Sequence, residues 1–542
     1  MIKELALFYL GRAKKSWGVI IVMSTLASLA HGMLLGVVNY AVESQGNGEA
    51  LWGELGLFVL LFLIYLSGVY FSIYKTTEAI GYMMHDLRIE LSRKFLKGKI
   101  QYIEQYKKGE IYAHFTADID QLAKTALRLI KTFQAAIVLV FCVLYIAWLS
   151  GLGFALLLCG LLCGVAAYLF QHKKARISQT VARDGEAQFF ETLNDELYGL
   201  KELKLNKNKS DDLFSKQFAI SEKFRFHYTK SELFFFISFL VSQISLFIIL
   251  GLAIFLPQGM IADNTTLHFQ ILTALLFSLK PIEEVVDSIG SITRGGVALS
   301  KIKNLSHRLD EFSEIQNLVS EEPKIPKCIE LKNIKMSYRS EKYGESFHLG
   351  PLSLQIQKGD TVFIVGGNGS GKTTLLKVLS GLYVPSEGEI LIDSHPLSAE
   401  DIFTYRQNFS AIYSDFHLFR TLFGLKNPDQ EKAKAYLERF KLMDKTSLEG
   451  NQYSTVALST GQKKRLALTT LLLENRPYII FDEFAADQDP EFRVFFYKEL
   501  LPELKEMGKT VICVTHDDLF FDVCDHLIKL DLGGVVLDEV HQ

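Results

Sequence analysis

Apolar residues fall in two different rhythms along this chain. Before about residue 295 they form six long blocks, near Trp17 to Val42, Leu51 to Tyr74, Phe133 to Leu149, Phe154 to Phe170, Leu233 to Leu256 and Leu267 to Ile289. A helix needs about 20 apolar residues to cross a bilayer, so each block predicts a membrane-spanning helix. After Cys328 the apolar runs shorten to strand length, as in Val362 to Val365, Glu389 to Ile392, Tyr478 to Phe481 and Val511 to Thr515, and helical stretches alternate with them. That alternation predicts an α/β domain.

The polar segments between the blocks orient them. Glu43 to Ala50, Ser150 to Gly153 and Pro257 to Thr266 contain no Lys or Arg, whereas Lys75 to Thr132 and Gln171 to Ser231 are strongly basic. By the positive-inside rule both long loops and both termini are expected in the cytoplasm. The loops read as helices continuing into water, with reversals expected at Gly109 to Asp120 and Leu197 to Leu205. Lys14 and Lys15 precede the first block as in a signal peptide, but the block is overlong and five more follow, so it reads as retained. Met1 to Leu10 suits a short helix at the membrane surface.

Composition adds exclusions. The 542 residues carry a net charge of -3, which provides no pull toward nucleic acid. Three of the six cysteines lie in apolar blocks and the other three lack metal-ligand spacing, against a zinc site or a disulfide framework. Polar, charged sequence from Ser300 to Ile325, ending in Pro323 and Pro326, marks the boundary. The expected organisation is a six-helix transmembrane domain over 1–300, a linker over 301–325 and an α/β P-loop domain over 326–542.

The chemistry concentrates in that second domain. Gly366-Gly367-Asn368-Gly369-Ser370-Gly371-Lys372-Thr373-Thr374 follows the run Thr361 to Val365 and precedes a helical run, and it fits G-x-x-x-x-G-K-[ST]. Side-chain-free positions let backbone N–H groups surround phosphate oxygens, and the helix adds its positive end. Lys372 is placed to reach the β- and γ-phosphates and Thr373 to ligate Mg²⁺. Strand Tyr478 to Phe481 ends in Asp482-Glu483: the first carboxylate suits Mg²⁺ and the second suits polarising the attacking water. Alone, such a pair is more often a turn or a helix cap. Its combination with the glycine loop points to nucleotide hydrolysis.

Two more stretches complete the set: Leu458-Ser459-Thr460-Gly461-Gln462 opening a helix, and Val514-Thr515-His516-Asp517 ending a strand. With these the chain resembles an ABC transporter of the exporter-type half-transporter layout. The resemblance implies ATP and Mg²⁺ as cofactors, Gly366 to Thr373 as the Walker A loop, Asp482 and Glu483 as the Walker B and catalytic carboxylates, and His516 as the switch histidine. It further implies Ser459, Gly461 and Gln462 as signature residues, Asp489 as the D-loop, and Tyr338 as the aromatic that stacks on adenine. Because the family's signature completes the ATP site of a facing subunit, it also implies a homodimer. The chain departs from the family pattern at three places: Ser414 stands where exporters carry a glutamine, the helical subdomain between Phe419 and Leu458 is short, and Gly450-Asn451-Gln452-Tyr453 replaces the usual acidic-glycine stretch.

The runs Ser459 to Arg465 and Asp482 to Pro490 look most like bacterial cyclic-peptide and siderophore exporters, the pyoverdine, syringomycin and microcin efflux type. The expected function is ATP-driven export of a peptide or peptide-like siderophore across the bacterial inner membrane. A lipid or drug flippase, or a membrane ATP sensor that does not pump, are the alternatives. Lys280, Glu283, Glu284 and Asp287 recur at helical spacing in the last block, opposite Ile282, Val285, Val286 and Ile289. Ionised groups at that depth favour a water-filled cargo cavity, while an ordinary solvent-exposed pair of Lys280 with Glu284 is the plainer reading.

Overall fold

The computed structural model describes residues 2–12, 14–46, 52–106, 108–255, 265–314, 324–339 and 346–541. It divides into two compact units, one of residues 1–91 and 111–305, the other of 92–110 and 306–542.

The first unit is helical. Its helices are α1 (Ile2–Arg12), α2 (Lys14–Gly46), α3 (Trp52–Lys97), α4 (Ile119–Leu149), α5 (Gly151–Tyr198), α6 (Leu200–Leu205), α7 (Lys207–Phe255) and α8 (Thr265–Glu311). Among the described residues three stretches are long and apolar enough to cross a membrane: Ser16–Ser44, Trp52–Lys97 and Ile111–Leu149. The blocks starting at Phe154, Leu233 and Leu267 fall on α5, α7 and α8. Helices α3, α5, α7 and α8 have 46 to 49 residues. At 1.5 Å per residue they run roughly 70 Å, more than twice the hydrocarbon thickness, so each continues well beyond a bilayer.

Small residues let these helices approach closely. Helix α3 buries Gly68, Ser72, Thr76, Ala79, Met83, Leu87 and Leu91, spaced three or four apart along one ridge. A Cβ on Gly68 would lie 2.9 Å from the Ala27 side chain. Just below, the Ser24 and Ser72 hydroxyls meet at 2.6 Å and Gln134 Nε2 donates to both, so none of these groups faces hydrocarbon unpaired. Helix α1 is tied down by Tyr9, whose hydroxyl donates to the Leu122 carbonyl.

One reversal lies where the sequence placed it and one does not. The chain turns through α6, between Gly199 and Asn206, inside the expected Leu197 to Leu205. The other reversal is at Gly98 to Tyr106, before the expected Gly109 to Asp120, where the described chain is helical with a π turn over His114–Asp118. Helix α3 stops at Lys97 because Gly98 bridges to Ser313, and the Glu314 amide then donates to the Lys97 carbonyl.

In the second unit, strands β1 (Cys328–Arg339), β2 (Ser346–Gln357), β3 (Thr361–Gly366), β4 (Glu387–Ile392), β5 (Phe409–Ile412), β6 (Tyr478–Asp482), β7 (Thr510–Val514), β8 (His526–Asp531) and β9 (Gly534–Val540) accompany helices α9 (Lys372–Leu379) and α10 (Thr460–Glu474). The larger sheet runs β9-β8-β3-β7-β6-β5, parallel except for β9. Strand residues alternate between two cores: Phe363, Ile479, Phe481 and Cys513 pack with Leu468 and Leu471 of α10, while Val362, Ile364, Ile480 and Ile512 pack with Leu375, Leu376 and Leu379 of α9. Both faces are therefore covered, as a parallel sheet requires.

The 92–110 segment is built into this unit. Glu104 accepts from Lys377 Nζ at 2.9 Å and from the Tyr383 hydroxyl, Gln101 Oε1 accepts the Val384 amide, and Tyr102 stacks on Phe312 at 3.8 Å.

Candidate functional site

The parallel register sets the site. Pairing Val514 with Ile364 and with Asp482 brings the carboxyl ends of β3, β6 and β7 to one edge, where ligands of open α/β sheets bind. Gly366 to Thr373 leave β3 there, Asp482 and Glu483 end β6, and His516 follows β7.

The loop is shaped by glycine conformations that other residues rarely adopt: φ is +150° at Gly366, +80° at Gly369 and +100° at Gly371. At Gly366 space is also closed, since a Cβ would lie 2.3 Å from the Leu530 carbonyl oxygen on β8. Gly366→Ala is therefore expected to cost about 2 kcal/mol of stability and to weaken ATP binding about tenfold. Thermal unfolding and nucleotide titration of the full-length protein check both figures.

Lys372, at the start of α9, is buried and donates to the Gly366 and Gly367 carbonyls at 2.9 and 3.0 Å. Ser370 Oγ, inside the same loop, is buried and has no hydrogen-bond partner among the described residues. A phosphate oxygen would satisfy it, so the residues present fit a nucleotide phosphate. Thr373 Oγ1 donates to Asp482 Oδ2 at 3.0 Å, and the Ser414 amide approaches the same oxygen at 3.4 Å. A hydroxyl beside a buried carboxylate is the hard-oxygen pair that Mg²⁺ prefers. The position that lacks the exporter glutamine thus meets Asp482 through its backbone.

Glu483 sits in the left-handed region, φ 52° and ψ 40°, its amide donating to Val514 O at 3.1 Å. His516 Nε2 lies 3.4 Å from Glu483 Oε1. Behind them the buried Tyr497 hydroxyl donates to Asp517 Oδ2 at 2.9 Å and meets Thr515 Oγ1 at 2.6 Å, holding the side chains on both sides of His516. No sequence pattern singled out Tyr497.

The signature residues lie on α10. Ser459 caps it in a capping box: its hydroxyl accepts the Gln462 amide, while Gln462 Oε1 accepts the Ser459 amide at 3.1 Å. Gly461 is pressed against the next segment, its carbonyl accepting from Gln488 Nε2 at 3.1 Å. Asp489 accepts the Phe492 amide as a cap and pairs with Arg465; the amide bond first, then the guanidinium, holds its carboxyl below the usual range. Among the described residues no hydrogen bond joins Ser459, Gly461 or Gln462 to residues 366–374 of the same chain. Tyr338 lies on β1 opposite Phe347, but its side chain is outside the described part of the structure.

In the helical unit, Ile282 and Val286 are buried, while Lys280 and Asp287 are exposed. Lys280 pairs with Glu283 at 3.2 Å instead of with Glu284, which reaches across to Arg128 of α4 at 3.2 Å. Arg128 belongs to the basic segment Lys75 to Thr132.

Comparison with known proteins agrees with this geometry. The ABC transporter transmembrane region family matches residues 17–278 and the ABC transporter family matches residues 349–486. ATP-binding protein SyrD of Pseudomonas syringae pv. syringae is 36% identical over 533 residues, 95% of this chain and 92% of that protein. An ATP-dependent lipid A-core flippase of Alkalilimnicola ehrlichii is 24% identical over 559 residues, 96% of this chain and 90% of that one. The structure of a bacterial Atm1-family ABC exporter with ATP bound superposes with a TM-score of 0.77 at 17% identity, covering 97% of this chain and 95% of that one. The chain belongs to the ABC transporter family, as an ATP-hydrolysing exporter in which one helical transmembrane domain precedes one ATPase domain.

Proposed function

We propose that this protein exports a peptide or peptide-like siderophore outward across the bacterial inner membrane, working as a homodimer that ATP closes. In this reading Lys372 and residues 366–374 hold the phosphates, Thr373 and Asp482 hold Mg²⁺, Glu483 activates water and His516 supports it. Mg²⁺ would neutralise phosphate charge as the γ-phosphate leaves.

The observation that carries the cargo class is the charged cluster of the helical unit, taken with the resemblance to cyclic-peptide and siderophore exporters. The Arg128–Glu284 ion pair and the Lys280–Glu283 pair occupy the inner half of the last apolar block, on α8, and the facing turn of α4. Ionised groups facing lipid are costly, so Lys280, Glu283, Glu284 and Asp287 favour a wet cavity suited to a polar, charged cargo. Similarity to a lipid A-core flippase supports lipid transport as the second reading.

Inside-out proteoliposomes separate the two. ATP-dependent accumulation of a labelled cyclic lipopeptide or peptide siderophore is expected, reduced at least several-fold by Glu284→Gln. ATP-dependent movement of a fluorescent phospholipid, with neither peptide probe accumulated, would favour the flippase.

A further inference from the structure

We propose that Lys464 is a positioning residue for Glu483, holding it in its left-handed conformation and tying the helix that carries Ser459, Gly461 and Gln462 to hydrolysis. The inference rests on the reading of Glu483 as the hydrolytic carboxylate.

Lys464 lies on α10 at 3% exposure, in line with the buried residues Ala467, Leu468 and Leu471. That stripe is apolar, and an apolar residue would continue it. Burying an ammonium there is costly unless each of its donors finds an acceptor. All three are satisfied by one short segment: Lys464 Nζ donates to the Glu483 carbonyl at 2.7 Å, to the Phe484 carbonyl at 3.3 Å and to Asp487 Oδ2 at 2.8 Å.

What the ammonium grips is a strained residue. A non-glycine residue with φ of 52° persists only where its surroundings enforce it. Strand β7 enforces one side of Glu483, through the hydrogen bond from its amide to Val514 O, and Lys464 enforces the other through its carbonyl. With both flanking peptide planes fixed, the carboxylate is aimed at His516, 3.4 Å away. Two further links make the helix and the 482–489 segment move as one piece: Gln488 Nε2 to the Gly461 carbonyl at 3.1 Å, and Arg465 Nε to Gln488 Oε1 at 2.9 Å. A shift at the capped start of α10 is therefore passed to the backbone of Glu483.

The test compares full-length parent, Lys464→Met, Lys464→Gln and Glu483→Gln in lipid nanodiscs, measuring kcat, KM for MgATP and nucleotide bound per chain. Lys464→Met keeps the stem and loses the donors, so kcat per bound nucleotide is expected to fall about 10- to 100-fold with KM within about twofold. Lys464→Gln, retaining N–H donors, should recover several-fold of that loss. Parental kcat in Lys464→Met with an inactive Glu483→Gln would overturn this inference alone. A fall in bound nucleotide matching the fall in kcat, with no recovery in Lys464→Gln, would also overturn it, showing a role only in folding. Turnover by Glu483→Gln at the parental rate would overturn the reading of Glu483 and this inference with it.

Discussion

Glu483→Gln is expected to bind MgATP with near-parental affinity and to lose about 10² to 10⁴ in turnover. The substitution leaves the backbone that Lys464 and Val514 hold, because both contacts are to main-chain atoms. It also leaves residues 366–373 untouched, so phosphate binding persists. What is lost is the carboxylate beside His516, the group able to accept a proton from an attacking water. Phosphate release measured alongside nucleotide occupancy separates the two effects. Hydrolysis at the parental rate would remove Glu483 from its assigned role.

The nucleotide-binding edge was legible in the sequence because its information is local. Gly366 to Thr373 must lie between a strand and a helix, and the strand's apolar run, the glycines and the helix signal all sit within some twenty consecutive residues. Asp482 and Glu483 follow the same logic at the end of β6. The six apolar blocks were equally plain, since lipid demands an uninterrupted run.

What stayed hidden depends on residues far apart in the chain. Glu104 and Lys377 are 273 positions apart, and nothing near either announces the pair. The reversal expected at Gly109 to Asp120 was misplaced for that reason: the helix stop at Gly98 is made by a distant bridge to Ser313, not by its own neighbours. Arg128 and Glu284 are likewise 156 positions apart, one in a basic loop segment and the other in the charged stripe of the last apolar block, so neither announces the other. Lys464 did leave a trace, a lysine on an otherwise buried stripe, but the adjoining Lys463 and Arg465 made it resemble solvated charge.

The departure at Ser414 also takes on a physical form. Tyr413, one residue earlier, places its hydroxyl 3.0 Å from Ser380 Oγ at the end of α9, and burial pushes that phenol up to about 12. The next amide meets Asp482. The end of the phosphate-loop helix, the Asp482 carboxylate and the Glu104 contact are thereby joined in one neighbourhood without a glutamine side chain.

Mixed dimers are expected to retain one working ATP site when the two lesions are on different subunits, and none when they share a subunit. Helix α10 is capped at its start by Ser459, which makes no hydrogen bond to residues 366–374 of its own chain among the described residues. A helix N-terminus offers amides and a positive end to phosphate, and in the proposed homodimer it would meet the phosphate loop of another copy. Let one subunit carry Lys372→Ala and its partner Ser459→Arg. If each site combines the loop of one chain with the signature of the other, both lesions fall in one site and the second is intact, so about half the parental ATP is bound. Place both lesions in one subunit opposite an unmodified one, and each site receives a single lesion, so binding is largely lost. Self-contained sites give the reverse: half binding with the lesions together, loss with them apart. Differentially tagged subunits, purified in sequence and titrated with a non-hydrolysable ATP analogue, distinguish the two arrangements, and the reversed pattern would refute the shared-site homodimer.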